Sequence, residues 1–302
     1  MKPLRYWAKP IVILAGIASI LLLSHSLLRT PINRSYSAQT QVSWPPPEFY
    51  QQNVNTSALP FKAAIVSLVR NSEYHGIRST IRQVEDRFNH QYGYPYILLN
   101  DVPFEQSFIN GVKRITKAPV YFGILDSQSW GLSPYVTKEK VDEALKKNKD
   151  RYIYGDSLSY RFMCRFQSGF IFKHPLLKDI DYYWRIEPDV NYYCDMPYDP
   201  FQLMYSKGYK YGFNIAPPEK SETVETLWDT TKEWIRQNKH LLPERNFASF
   251  ILDNNNNYNM CHFWSNFEIV DLSLYRSEAY QSYFDFLDRS GGFFYERWGD
   301  AP

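Results

Sequence analysis

A strand pattern, a helix pattern and a second strand pattern follow one another near residue 60, and they limit the fold more than any other feature. Residues Ala63–Val69 are apolar except for Ser67 and include Ile65, Val66 and Val69, which is typical of a buried parallel strand. The apolar residues that follow recur at helical spacing, with Gly93 as the stop signal: Ile77, Ile81, Val84 and Phe88. Tyr96–Leu99 forms the next strand pattern. This alternation predicts an α/β fold that is built on a parallel sheet.

Further strand patterns at Val120–Leu125 and Tyr209–Ile215 extend this sheet. The second strand is followed by polar residues, Asn100 and Asp101, as expected where an open α/β sheet binds a ligand. The chain contains neither a G-x-G-x-x-G motif nor a P-loop. The sequence therefore indicates neither a dinucleotide site nor a Walker-type ATP site.

An acidic pair follows the strand pattern at the start of Asp181–Met204. The apolar and aromatic run breaks at Pro188, which cannot donate to a sheet ladder, so Glu187 and Asp189 lie where the strand ends. Two residues apart in an extended chain, the two side chains point to the same face. Two carboxylates there suit a divalent cation that holds phosphate. The alternative is an ordinary acidic turn after a strand.

Several basic and aromatic side chains are further candidates for binding. Arg70 ends the first strand pattern, where it would hold a diphosphate or stack on a base; the alternative is a surface salt bridge. Tyr160, Arg161 and Arg165 form a second group, which suits a phosphate or sugar hydroxyls. The alternative for this group is a packed tyrosine with surface charges.

Two carboxylates near the end of the chain stand out from their surroundings. Glu268 follows an apolar and amide-rich run, where a carboxylate is out of place unless it is paired or used. Asp300 follows Gly299, and glycine permits close approach to a ligand. His262 could bind a metal, but a lone histidine beside aromatic residues is more often a core residue.

The amino terminus has the pattern of a membrane anchor. Residues 11–28 are uncharged and almost entirely apolar, and basic residues precede them within residues 1–10. We expect a cytoplasmic tail at 1–10, a membrane-spanning helix at 11–28, a lumenal stem at 29–60 and a globular domain at 61–302. A cleaved signal peptide is the alternative.

The numbers of basic and acidic residues nearly balance over the whole chain, 34 against 32, so the net charge does not suggest nucleic acid as a partner.

Six sequence blocks together resemble one known family. The blocks are RNSEYHGIRSTIRQVEDRFN at 70–89, SYRFMCRF at 159–166, WRIEPDV and CDMPYDPF within 181–204, CHFWSNFEI at 261–269 and ERWGDAP at 296–302. In this order they resemble the fungal α-1,2-mannosyltransferases of the Ktr/Mnt group, over roughly residues 61–302. The resemblance implies a GT-A-like α/β fold with a mixed central sheet flanked by helices. It also implies a single-pass type II protein of the Golgi membrane with a lumenal catalytic part.

The resemblance further implies an activity and roles for individual residues. The activity is the transfer of mannose from GDP-mannose to a mannose-terminated glycoprotein glycan, with retained configuration and with Mn²⁺ as cofactor. Glu268 is the implied candidate nucleophile, Tyr160 an acceptor-binding residue and Asp300 a ligand of substrate hydroxyls. The implied contacts to nucleotide or substrate are Arg70, Arg165, Arg185, Glu187 and Asp189, with Glu187 also binding the metal.

The sequence differs from the family at its carboxyl end, and two other protein classes remain as alternatives to the transferase. Chains of the resembling family continue past the W-G-D-A-P block with a segment that supplies a metal-binding histidine, whereas this sequence stops at Pro302. We therefore expect weak or absent transferase activity from residues 1–302. A non-catalytic lumenal glycan-binding or scaffold protein is the alternative, and a glycoside hydrolase would also use two carboxylates.

Overall fold

A six-stranded mixed sheet organises residues 56–302, the part of the chain that the computed structural model describes. Its spatial order is β3-β2-β1-β4-β6-β5. Strands β1 to β4 pair in parallel, and β6 is antiparallel to both β4 and β5. The strands are β1 Ala63–Leu68, β2 Tyr96–Asn100, β3 Val120–Ile124, β4 Tyr182–Arg185, β5 Tyr211–Phe213 and β6 Glu268–Asp271. The predicted mixed α/β fold is confirmed.

Helices cover both faces of this sheet. Those of eight or more residues are α1 Tyr74–Val84, α2 Gln106–Lys113, α3 Lys138–Asn148, α4 Leu158–Gly169, α5 Pro200–Lys207, α6 Leu227–Gln237 and α7 Glu278–Ser290. Shorter helical segments are Thr56–Ala58, Asn71–Glu73, His90–Tyr92, Ile171–Lys173, Pro175–Leu177, Ser221–Thr223, Lys239–Leu241, Ala248–Ile251, Leu272–Tyr275 and Gly292–Tyr295. A π-helical turn, Glu85–Asn89, continues α1.

The first helix ends where the sequence predicts, although its last turns are irregular. After the π-helical turn and one more helical turn, Gly93 takes a left-handed conformation with φ of +69° and ends the helix. The Asn89 side chain accepts from the Tyr94 N–H at 2.8 Å and so fixes the exit of the chain into β2.

Alternating side chains of the strands build a core on each face of the sheet. Ile65 and Trp184 face the cluster that contains the apolar side of α1. Val66 and Tyr183, one residue away, face the opposite cluster. A third cluster joins α4 and α7 to the segment around Trp298. Both faces are thus covered, and the carboxyl ends of the parallel strands remain the accessible edge of the sheet.

The predicted tail at 1–10, membrane helix at 11–28 and most of the stem at 29–60 lie outside the described residues. Within residues 56–302, no helix is both long and apolar enough to span a bilayer. The last predicted stem residues contain the short 3-10 turn Thr56–Ala58. Its Thr56 hydroxyl donates to the carbonyl oxygen of Tyr92 at 3.0 Å and ties this end to the folded part.

Candidate active site

A cavity of about 580 Å³ lies at the carboxyl ends of β1, β2 and β4. This is the edge at which open α/β sheets bind ligands, and the volume is typical of small-molecule sites. The strand ends contribute Leu68, Val69, Arg70, Asn100, Asp101, Arg185 and Glu187 to its wall. The start of α4 and the segments near residues 262–266 and 297–302 supply most of the remaining wall.

Arg185 joins the carboxylates of this cavity into one network. Its Nε atom donates to Oε1 of Glu187 at 2.6 Å, and a terminal nitrogen donates to Oδ2 of Asp300. The Arg185 side chain is only 5% exposed. Across the antiparallel pair β4–β6, Arg185 also lies opposite Glu268. One buried cation therefore serves three acidic groups that are far apart in the sequence.

The two wall carboxylates that pair with Arg185 have opposite pKa shifts. Burial raises the pKa of Glu187, and the nearby Arg185 charge offsets this only in part. Burial also acts on Asp300, but there the Arg185 charge, with hydrogen bonds from Arg185 and Ser265, brings the pKa below its ordinary value. The Ser265 hydroxyl donates to Asp300 at 2.8 Å. Asp300 is therefore held ionised, whereas Glu187 takes up a proton more readily.

Glu268 belongs to this network but lies behind the cavity wall. It is 3% exposed and lines neither this cavity nor a second, aromatic cavity of about 290 Å³ nearby. The hydroxyls of Tyr183 and Tyr211 donate to its two carboxylate oxygens. Burial raises its pKa, although Arg185 and the two tyrosines lower it in part. Glu268 does not reach the cavity surface, so its catalytic role stays a prediction.

Arg70 and Tyr160 both lie on the cavity wall. Arg70 is exposed, and its guanidinium donates to the Ser159 hydroxyl at 3.2 Å. The Tyr160 ring stacks on Tyr154 at 4.6 Å, and the Arg297 guanidinium lies 5.1 Å from its centroid. Burial raises the pKa of the Tyr160 hydroxyl. Their positions suit the predicted substrate contacts, which stay predictions.

The predicted contact of Arg165 with nucleotide or substrate is corrected, because Arg165 has a structural role. It does not line the cavity: its side chain is 2% exposed and forms two hydrogen bonds to Asp288, at 2.7 and 2.9 Å. Its remaining terminal nitrogen donates to the carbonyl oxygen of Gln128 at 3.0 Å. With every nitrogen of the guanidinium engaged, none is left for a substrate.

Asp189 is also corrected, because it does not share a face with Glu187. Strand β4 ends at Arg185, and Asp189 takes a left-handed conformation with φ of +61°, which breaks the two-residue alternation of a strand. Its carboxylate is exposed and lies against Gly76 in α1, where an added Cβ would be 2.8 Å from it. Asp189 is absent from the lining of the cavity.

The sequence analysis missed several residues of the candidate site. Ser265, which supports Asp300, carries no motif of its own. Arg297 and Trp130 also line the cavity, and their spacing gave no signal. Asn100 and Asp101 were noticed only as polar residues after a strand, and both prove to lie on the cavity wall.

No group of three or more His, Cys, Asp and Glu side chains in residues 56–302 could by itself hold a metal ion. Glu187 nevertheless offers a carboxylate at the cavity, since only its Oε1 atom takes a hydrogen bond from the described residues. Ions of the Mg²⁺ and Mn²⁺ type are often held by one or two carboxylates together with substrate phosphates. The residues present fit such a shared site, in which a nucleotide completes the coordination.

Comparisons with known proteins show which family the chain resembles in sequence and fold. The glycolipid 2-alpha-mannosyltransferase of Saccharomyces cerevisiae is 48% identical over 242 residues, which cover 80% of this chain and 55% of that protein. This chain thus spans little more than half the length of the curated relatives it matches. Core-mannan synthase A from Aspergillus fumigatus, solved in a Mn/GDP form, is 40% identical, with a TM-score of 0.79 over 84% of this chain and 70% of that one. Mannosyltransferase Ktr4p from S. cerevisiae, solved in complex with GDP, is 38% identical, with a TM-score of 0.77 over 84% and 71% of the two chains. Because residues 23–302 also match the family described as glycolipid 2-alpha-mannosyltransferase, the chain belongs to that family.

Proposed function

We propose that this chain carries the catalytic domain of a retaining α-1,2-mannosyltransferase that uses GDP-mannose, built on a GT-A-like fold. The observation that carries the proposal is the network of Arg185 with Glu187 and Asp300 on the wall of a cavity at the carboxyl ends of parallel strands. Family membership supports the reaction, and the GDP and Mn/GDP forms of two related structures support the donor and the cofactor.

The leaving diphosphate requires positive charge. Arg70 is exposed at the end of β1, where its guanidinium is available to phosphate oxygens. The proposed cofactor is Mn²⁺, which when bound would neutralise charge on the leaving diphosphate. Glu187 would hold it from the end of β4, and the diphosphate would supply further oxygen ligands.

The sugar requires negative charge near the anomeric carbon, where positive charge develops. Asp300 is the ionised carboxylate at the cavity surface, and Arg185 and Ser265 fix its position. Glu268 stands behind it, opposite Arg185 in the neighbouring strand. Tyr160 lies on the same wall and is available to orient an acceptor hydroxyl.

The acceptor and the location in the cell are part of the same proposal. We propose a mannose-terminated glycan, N-linked or O-linked, as acceptor. The aromatic wall residues Tyr154, Tyr160 and Trp264 suit the apolar faces of sugars. The apolar run at 11–28, preceded by basic residues, supports a type II anchor in the Golgi membrane with the catalytic part in the lumen.

Calorimetric titration of GDP with and without Mn²⁺ tests the proposal. We expect GDP binding that requires Mn²⁺, and we expect Glu187→Gln to lose this Mn²⁺-dependent binding. The matched control is Glu143→Gln, at an exposed position of α3 away from the cavity. A second assay measures transfer of labelled mannose from GDP-mannose to a mannoside.

The alternatives give different results in these assays. If GDP affinity is the same with and without Mn²⁺, or if GDP does not bind at all, the proposed transferase function is contradicted. Such a result would favour a glycan-binding or scaffold protein. Glycoside cleavage without a nucleotide or a metal would indicate a hydrolase.

A further inference from the structure

We infer that Thr80, in the middle of α1, is a positioning residue for Glu187, whose carboxylate it helps to hold at the cavity. This inference rests on the proposed function, since it assumes that Glu187 takes part in binding Mn²⁺ when GDP is present. It adds a residue that is not itself part of the cavity wall.

The segment that carries Glu187 has no regular secondary structure of its own. Strand β4 ends at Arg185, and residues 187–196 form neither a helix nor a strand. The N–H of Ile186 still donates to the carbonyl oxygen of Val66, at 2.9 Å, in the neighbouring strand. Beyond that bond the sheet no longer holds the backbone, so Glu187 keeps one position only if another element supports it.

One face of α1 provides this support. Gly76, Thr80 and Gln83 are spaced by four and three residues and therefore lie on the same face of the helix. Each of them precedes a buried apolar residue by one position, so this face runs beside the apolar side of α1. The Asp189 carboxylate lies against Gly76, where an added Cβ would be 2.8 Å away. The segment after β4 thus lies along this face of the helix.

The contacts continue towards the end of the helix. The Gln83 side chain accepts from the Tyr192 N–H at 2.9 Å. The carbonyl oxygen of Arg87, in the π-helical turn, accepts from the Met196 N–H at 3.0 Å. Every hydrogen bond that reaches the backbone of residues 187–196 from elsewhere in the described part of the chain comes from α1 or this turn. The helix is therefore the main support of the segment.

Thr80 is the residue of this face that reaches Glu187 itself. It is fully buried, and its hydroxyl donates to the carbonyl oxygen of Glu187 at 2.9 Å and lies 3.2 Å from that of Val190. A threonine hydroxyl inside a helix commonly bonds to a carbonyl oxygen of the preceding turn. The Thr80 hydroxyl instead bonds to a residue that is 107 positions away in the chain. It thereby ties the backbone of Glu187 to the middle of the helix.

Two elements therefore fix Glu187 together. Arg185 donates to Oε1 of its carboxylate at 2.6 Å, and Thr80 donates to its carbonyl oxygen. Without the Thr80 hydroxyl, the contact with Arg185 would remain, but the backbone would be free to turn. Loss of a residue that orients a metal-binding side chain typically weakens metal binding by about 10- to 100-fold. The effect of Thr80 on the nucleotide should thus pass through the metal.

Calorimetric titration of GDP into the full chain at a series of Mn²⁺ concentrations tests this role in two matched pairs. Thr80→Val nearly keeps the shape of the unmodified side chain and removes the hydroxyl. Thr80→Ser and Thr80→Ala both lack the γ-methyl group and differ only in the hydroxyl, so this pair decides the question even where valine is not tolerated. In each pair, we expect the form without the hydroxyl to need about 10-fold more Mn²⁺ for half-maximal GDP binding. Excess Mn²⁺ should restore its GDP affinity, because the surfaces that contact the nucleotide are unchanged.

Hydrogen exchange of the protein without Mn²⁺ and GDP gives a second measurement. The amides of Tyr192 and Met196 are hydrogen-bonded to α1 and its π-helical turn, so their exchange reports how firmly the segment is held. We expect residues 187–196 to exchange faster in Thr80→Ala than in Thr80→Ser.

The matched control is Thr231→Val, in α6. The Thr231 hydroxyl lies 2.7 Å from that of Tyr283 and so also joins two elements, but Thr231 does not line the cavity. This variant should lower the melting temperature through the lost hydrogen bond. It should change neither the Mn²⁺ requirement nor the exchange of residues 187–196.

The outcomes separate this inference from the proposed function. If Thr80→Ala and Thr80→Ser need the same Mn²⁺ concentration, if excess Mn²⁺ does not restore GDP affinity, or if hydrogen exchange of the segment is the same in both, the inference is overturned while the proposed function stands. If GDP binding by the unmodified protein does not depend on Mn²⁺, the proposed function fails. The exchange comparison needs neither ligand, so it still decides whether Thr80 fixes the segment.

Discussion

The buried ion pair between Arg165 and Asp288 allows a quantitative test of the structural role assigned to Arg165. The pair joins α4 to α7 through two hydrogen bonds of 2.7 and 2.9 Å, and its side chains are 2% and 7% exposed. The Ser133 hydroxyl also donates to the Asp288 carboxylate, at 3.1 Å. The change Asp288→Asn removes the negative charge and keeps the size of the side chain, so Arg165 is left as an uncompensated charge in the interior.

The expected effect on stability is large. Removal of one partner from a buried pair costs about 3–5 kcal/mol of the free energy of unfolding. For a folded part of this size, each kcal/mol lowers the melting temperature by roughly 2–4 °C, so the variant should melt about 6–20 °C lower. The double change Arg165→Met with Asp288→Leu removes both charges and should recover most of this loss, because apolar replacements of buried pairs are often neutral or stabilising.

Urea unfolding followed by tryptophan fluorescence measures these free energies, and GDP titration below the unfolding transition measures the effect on the cavity. We expect unchanged GDP affinity in the double variant, since neither residue lines the cavity. A loss of less than about 1 kcal/mol in Asp288→Asn would refute the buried-pair reasoning. A stable double variant with greatly weakened GDP binding would indicate that Arg165 contacts the substrate after all.

Three further predictions follow from single contacts. Burial raises the pKa of Glu187 above its ordinary value of 4.5. Mn²⁺-dependent GDP binding should therefore weaken as pH falls, and calorimetric titrations should place the pH midpoint of this loss of affinity above 4.5. A midpoint below 4.5 would contradict the assignment. Gly169→Ala should lower the free energy of unfolding by about 1–3 kcal/mol, because the new Cβ would lie 2.0 Å from the Phe284 ring, and thermal unfolding would show it. Asp199→Ala should cost about 2 kcal/mol in urea unfolding, because Asp199 caps α5 and accepts from the Tyr94 hydroxyl at 2.6 Å; an unchanged midpoint would contradict this.

Five of the six strands and the first helix could be predicted because their signals are local, whereas β6, Glu268–Asp271, was not predicted. The run Ala63–Val69, apolar except for Ser67, favours a buried strand, and the structure ends β1 only one residue earlier. The helix after it needed only its apolar spacing and a glycine at residue 93. Such patterns depend on neighbours within about ten residues, so one sequence contains all the information that they require.

The candidate site could be predicted only in part, because charged side chains find their partners across the fold. Arg165 and Arg185 both stand beside aromatic residues in the sequence, yet one pairs with Asp288 in the interior and the other with Glu187 and Asp300 at the cavity. Arg165 and Asp288 are 123 residues apart in the chain, and Arg185 and Asp300 are 115 residues apart. Local sequence spacing cannot predict contacts over such separations. The family resemblance therefore identified these residues as candidates but did not indicate which side chains they contact.

The charge balance of the network explains why this cavity suits a metal–diphosphate complex. One buried guanidinium, that of Arg185, faces the carboxylates of Glu187, Asp300 and Glu268. Three ionised carboxylates would exceed its charge, and burial makes that excess costly. The raised pKa values of Glu187 and Glu268 show where the excess is relieved, while Asp300, which receives hydrogen bonds from both Arg185 and Ser265, keeps its charge. A cation near Glu187 would offset the excess negative charge of these carboxylates, so the charge balance suits a divalent ion that arrives with a nucleotide.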